Sequence, residues 1–145
     1  MRRHDFRCPS CAKKYNIWTY NIGMGDIDAE LHCEKCPTVM LVDLYSALAD
    51  QVLTEIHGKS GPKTKEEAYS KRESYIVRMA ELVGRCHCGG SFSHRALYRC
   101  PMCGSGITLE EIKRQINFWG SQDGRPGVVM TDYMNQDGKR KLPTD

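Results

Sequence analysis

Eight cysteines in four close pairs constrain this chain more than any other feature: Cys8-Pro-Ser-Cys11, Cys33-Glu-Lys-Cys36, Cys86-His-Cys88 and Cys100-Pro-Met-Cys103, with none left over. A tight turn between two cysteines points both sulfurs at one centre. Two such turns complete a tetrahedron, and tetrahedral thiolate coordination is what zinc takes in structural sites. The spacing therefore predicts two Zn2+ ions per chain, ligated by Cys8, Cys11, Cys33, Cys36, Cys86, Cys88, Cys100 and Cys103. Disulfides, a redox Cys-x-x-Cys and an iron–sulfur cluster are the competing uses of such cysteines, and the paired spacing favours metal over the first two.

Four pairs combine into two sites in three ways. Shorter loops cost less entropy to close, which favours neighbours: Cys8/Cys11 with Cys33/Cys36, and Cys86/Cys88 with Cys100/Cys103. The intervening stretches of 21 and 11 residues suit one or two hairpins each. Closure entropy grows only slowly with length, so an interleaved arrangement stays open.

The run Cys100-Pro-Met-Cys103-Gly104 matches the knuckle C-P-x-C-G, and on it the chain resembles the zinc-ribbon superfamily, in which two knuckles at the tips of β-hairpins grip one metal. The resemblance covers roughly residues 6–40 and 84–106. Cys11 is followed by Ala12 and Cys36 by Pro37, while Cys86-His-Cys88 is one residue short and is followed by Gly89-Gly90. Zinc ribbons commonly act in transcription and translation, but a fold alone does not fix a function.

Between and after the cysteine units the pattern turns helical. Leu44, Leu48, Val52 and Ile56 recur at steps of four, with Asp43 as a candidate N-cap and Gly58 as the stop. Thr64-Lys-Glu-Glu67 reads as a capping box opening a second helix, whose apolar face carries Ala68, Tyr75, Ile76, Met79, Leu82 and Val83. Thr108-Leu-Glu-Glu111 repeats the box before Ile112, Ile116 and Trp119, with Gly120 as the end. Beyond it stand a strand-like Val128-Val129-Met130 and a polar Lys139-Arg140-Lys141, expected to be loosely ordered. The expected fold is α+β: an N-terminal zinc ribbon (1–42), a helical hairpin (43–83), a second zinc ribbon (84–107), and a C-terminal helix and tail (108–145).

Charge narrows the choice of partner. Twenty-one basic and 18 acidic residues give a net charge of +3, too balanced for an electrostatic footprint on DNA or an anionic membrane. Basic residues at the N-terminus precede no apolar core of a signal peptide, and no later segment approaches 18 uninterrupted apolar residues, which predicts a cytoplasmic protein with reduced thiols and no membrane partner. A catalytic zinc keeps one position open, and four thiolates close it, so no enzyme is expected. His32-Cys33-Glu34 contains the H-x-E of zinc deaminases, but Cys33 is needed with Cys36. His87 and His94 could each replace a cysteine ligand, although four thiols are already present at each site. The reading that follows is a non-catalytic module recognising a protein partner, as an adaptor or a small inhibitor of the immunity-protein type. The alternative is a nucleic-acid surface on the second ribbon, where Arg85, Arg95 and Arg99 stand among Phe92 and Tyr98.

Overall fold

A computed structural model describes residues 1–22, 29–43, 46–117 and 125–144. The fold is α+β, and its centre is the short strand β4 (Val39–Val42), all four of whose residues, Val-Met-Leu-Val, are buried. Successive side chains of a strand point to opposite faces, so a strand buried on both faces reads as a continuous apolar run. Val39 and Leu41 enter one hydrophobic core, Met40 and Val42 the other.

β4 lies inside a five-stranded sheet of order β10-β9-β4-β3-β5, built from β3 (Ala29–Cys33), β5 (Phe92–Ser93), β9 (Tyr133–Asn135) and β10 (Arg140–Lys141). β3 pairs antiparallel with β4 on one side (Leu31 opposite Met40) and with β5 on the other (Cys33 opposite Phe92), and β9 runs parallel to β4. A three-stranded sheet joins β1 (Arg2–Arg7), β2 (Lys14–Ile22) and β8 (Arg125–Val129), with Phe6 opposite Tyr15 and Trp18 opposite Val129. A two-stranded ribbon pairs β6 (Tyr98–Arg99) with β7 (Gly106–Ile107).

The first core gathers Phe6, Ile17, Tyr98, Ile107, Ile112, Val128 and Met130 around Cys8 and Cys100. The second gathers Leu31, Phe92, Met134 and the inner faces of two helices around Cys33 and Cys86. α1 (Ala47–His57) supplies Ala49 and Val52, and α3 (Arg72–Leu82) supplies Tyr75 and Met79. Each unit expected as a separate ribbon therefore sends strands into shared sheets.

Several local expectations change. The N-cap of α1 is Ser46, whose hydroxyl accepts from Ala49 N–H at 3.2 Å and donates to the Asp43 carbonyl at 2.7 Å, so Asp43 serves the turn before the helix through its backbone. Leu44 lies outside the described residues. The second predicted helix is two, α2 (Lys65–Ser70) and α3, broken at Lys71 (φ −97°, ψ 1°). Thr64 does cap α2 by accepting from Glu67 N–H, but the Glu67 carboxylate takes the N–H of Lys63 rather than that of Thr64. α4 (Leu109–Gln115) ends where Ile116 turns extended, and Trp119 and Gly120 lie outside the described residues.

The polar end is ordered by one buried carboxylate. Asp132, 2% exposed, accepts from Thr38 Oγ1 at 2.7 Å, Thr131 Oγ1 at 2.9 Å and Arg140 Nε at 2.5 Å. Burial alone would raise this carboxyl; the three donors outweigh it and hold it below its ordinary value. Arg140 thereby fixes β10 on β9, which corrects the expectation of a loose tail.

Because β4 feeds both cores, Met40→Ala and Leu41→Ala should each cost about 2–5 kcal/mol, while Leu142→Ala, at a side chain 70% exposed, should change stability by less than about 0.5 kcal/mol. Denaturant unfolding of the three variants checks this.

Candidate metal centres

The eight sulfurs meet in two groups: Cys8, Cys11, Cys100 and Cys103, here the outer centre, and Cys33, Cys36, Cys86 and Cys88, the inner centre. The first pair thus joins the last and the second joins the third, nested one inside the other. This corrects the neighbour pairing. Closing the longer loops costs only about 1 kcal/mol more per site, and sheet pairing outweighs it. The β3–β5 pairing sets Cys33 beside Phe92 and brings the third cysteine pair to the second, and the first core buries Cys8 and Cys100 together.

Within the outer centre Cys8 Sγ lies 3.8 Å from Cys103 Sγ, and Cys11 Sγ lies 3.9 Å from Cys100 Sγ. In the inner centre the Cys33–Cys88 and Cys36–Cys86 separations are both 3.5 Å. All eight are free thiols, and the four ligand atoms of each group lie within 4.8 Å of one another. Each group can hold a metal ion. In both, two cysteines are buried, one is half-buried and one is exposed, so the metal position would sit at the edge of a hydrophobic core.

The four turns share one backbone closure. The first cysteine's N–H donates to a carbonyl further along, Cys8 to Lys13, Cys33 to Thr38 and Cys100 to Ser105, while the shorter turn joins Cys86 to Gly90. An N–H two residues on donates to the first sulfur: Ser10 to Cys8, Lys35 to Cys33 and Met102 to Cys100, at 3.3–3.4 Å. After the second cysteine the backbone turns left-handed at Ala12 (φ 61°), Gly89 (φ 83°) and Gly104 (φ 75°). Ala12 takes a conformation that glycine usually supplies. Pro37, locked near φ −65°, cannot take it, so the second turn ends differently.

A feature the sequence reading missed is an arginine before the first cysteine of three turns. Arg7 donates to the Ala12 carbonyl at 2.9 Å, Arg85 to that of Gly89 at 3.2 Å and Arg99 to that of Gly104 at 3.3 Å. The signal stood in the sequence as Arg-Cys at 7–8, 85–86 and 99–100. The second turn has His32 there instead, which packs on the Tyr98 ring at 4.3 Å and pairs with Glu30 at 2.7 Å. Glu30 also accepts from Val128 N–H at 3.0 Å and from Tyr20 Oη. Burial first, then the Glu30 charge, pushes both Tyr20 and Tyr98 well above their ordinary values.

Neither candidate histidine joins a thiolate group. His87 Nε2 is 2.8 Å from Thr38 Oγ1 and 3.2 Å from Asp132 Oδ2, and His94 pairs with Glu73 at 3.5 Å. Both exposed thiols are acidic: the Ser105 hydroxyl and N–H hold Cys103 at about 6, and the Gly90 N–H holds Cys88 at about 7. Buried Cys100 is lowered too, its burial outweighed by the N–H groups of Cys103 and Met102. Of the residues considered for nucleic acid, Phe92 and Tyr98 are buried in opposite cores, Arg85 and Arg99 close their turns, and Arg95 is bound to Glu73 at 2.7 Å.

These observations define an α+β chain with two thiolate centres, each able to take a metal. A family model described as a domain of unknown function (DUF8255) matches residues 4–108, and the chain belongs to that family. The matched span holds all eight cysteines, whereas α4, β8, β9 and β10 lie entirely beyond it. Comparison with curated proteins and with solved structures finds no match. No helix among the described residues is long and apolar enough to cross a membrane.

Nested ligation predicts metal counts that neighbour pairing does not. Cys8→Ser with Cys103→Ser should remove one ion and spare the other, whereas Cys8→Ser with Cys33→Ser should remove both. A Cβ at Gly90 would lie 2.7 Å from Cys33 Sγ and 3.2 Å from Cys88 Sγ, so Gly90→Ala should empty the inner centre alone. Native mass spectrometry of each variant gives the count. Ala12→Gly should raise stability by about 1 kcal/mol by relieving the left-handed alanine, read as a higher Tm.

Proposed function

We propose that this chain is a non-catalytic module of the zinc-ribbon type, carrying two zinc ions that hold its fold together, and that it acts by recognising a protein partner. The observation that supports a tetrahedral metal at each group is the sulfur geometry. Thiolates about 2.3 Å from a tetrahedral zinc lie about 3.8 Å apart; two separations in each group, 3.5–3.9 Å, lie near that spacing, and all fall within 4.8 Å. Four soft, anionic donors suit zinc, fill its coordination shell and leave no position for water or substrate, which supports a structural role over a catalytic one.

Protein recognition is supported by what the outer centre's last turn presents. Met102, between Cys100 and Cys103, is 53% exposed, and Leu97, at the foot of the same ribbon, is 48% exposed. Apolar side chains carried on a turn that metal would make rigid lose little freedom on contact, which favours association. The rings that a nucleic-acid surface would need for stacking are buried, and two of its three arginines are committed to the turns. Such a module fits an adaptor or an inhibitor in the cytoplasm.

Metal analysis should find two zinc ions per chain, and their complete removal should abolish much of the far-ultraviolet circular dichroism, since the binding free energy of a structural zinc is also folding free energy. For the partner, the tagged chain is isolated from its own cells with and without nuclease, beside a Leu97→Asp/Met102→Asp variant. A protein retained after nuclease and lost by the variant is the expected result. Partners that vanish on nuclease treatment would overturn the protein reading.

A further inference from the structure

The two centres are built alike but are not clamped alike. Four thiolates around one divalent cation leave a net charge of about −2, which favours a cation bonded to the same turn. At the outer centre both turns have this device. Arg7 and Arg99 bond the carbonyls of Ala12 and Gly104, the residues that follow Cys11 and Cys103. At the inner centre only one does, through Arg85 and Gly89. Its other turn begins at His32, which is drawn away into the Glu30–Tyr98 cluster, and ends at Pro37, which has no N–H and cannot turn left-handed.

We infer that Arg7, Arg85 and Arg99 are positioning residues that hold their turns closed over metal, and that the inner centre, with one clamp against two, releases its ion first. This rests on the zinc reading above. Each arginine ties the two ends of a turn through one N–H···O bond to the residue that follows a ligand. Opening a turn, the first step of ligand loss, breaks that bond. Burial does not rank the centres, because both follow the same pattern of two buried, one half-buried and one exposed sulfur. The clamps do. The chain thus holds one permanent ion and one exchangeable ion, and the exchangeable one is anchored in the core that α1 and α3 complete.

The test uses the full chain loaded with zinc, its two ions counted by native mass spectrometry, then mixed with excess chromogenic chelator. The expected course is two phases of one ion each, separated about tenfold or more in rate, in keeping with outer-shell partners. Alkylation of the one-ion intermediate should label Cys33, Cys36, Cys86 and Cys88 and spare the other four. Arg7→Gln and Arg99→Gln should speed the slow phase about tenfold, and Arg85→Gln the fast one. Arg7→Lys should restore the slow phase, since a single N–H···O bond and one charge are within a lysine's reach. Arg95→Gln, whose partner is Glu73 rather than a turn carbonyl, should change neither. Two ions lost in a single phase, or an intermediate protected at the inner cysteines, would overturn the inference and leave the zinc reading intact. A chain that binds fewer than two ions would overturn both.

Discussion

Convergence of four sulfurs from opposite ends of the chain is the constraint on which the rest of the structure depends. Cys8 and Cys11 follow the first strand, and Cys100 and Cys103 follow the sixth, so the outer centre cannot assemble until everything between them is folded back. Inside that closure the inner centre joins β3 to the segment that precedes β5. Each centre borders one core and contributes two buried sulfurs to it, Cys8 and Cys100 to the first, Cys33 and Cys86 to the second. Metal binding and hydrophobic burial are therefore coupled on each side of β4. A shift of β4 by one residue would exchange its inward faces and disturb both cores at once.

The polar interior follows the same logic of connection. Glu30 links β3 to β8 through the Val128 N–H and to β2 through Tyr20, so one buried carboxylate joins the three-stranded sheet to the five-stranded one. Asp132 does this for the start of β4, the Cys86–Cys88 turn and β10 through Thr38, His87 and Arg140. A buried charge is tolerated only where donors surround it, and here the donors come from segments distant in the chain. Through β8 and β10 these two residues also bind parts of the molecule that no cysteine reaches.

The sequence displayed its candidate metal ligands and most of its helices because both are local signals. Cysteine pairs two or three residues apart, Thr64 and Thr108 as caps, Val52 and Met79 on apolar faces, and Val128-Val129 as a strand can each be read within a few residues. Partner choice between cysteine pairs was not legible, since it is set by strands that pair at long range, as Cys33 does with Phe92. Loop length was a poor guide for that reason: its entropy varies by about 1 kcal/mol per site across the alternatives, no more than one well-buried side chain contributes. Charge and aromatic composition misled at Phe92 and Tyr98, whose rings fill cores, and at Arg140, which is pinned by a buried aspartate. The Arg-Cys repetition was visible but had no meaning until the carbonyls that the arginines reach were located.

Nested closure also sets an order in time. A ribosome delivers Cys8, Cys11, Cys33 and Cys36 before any other ligand, so the first complete set of four thiols to emerge is the wrong one. Metal captured by that set would hold β1 and β3 in a pairing that the finished fold does not contain, and Cys86 and Cys88 could then enter only by ligand exchange. The inner set is complete fifteen residues before Cys103 appears. Assembly that avoids this trap would run from the inside outward, the N-terminal pair waiting until Cys100 and Cys103 appear.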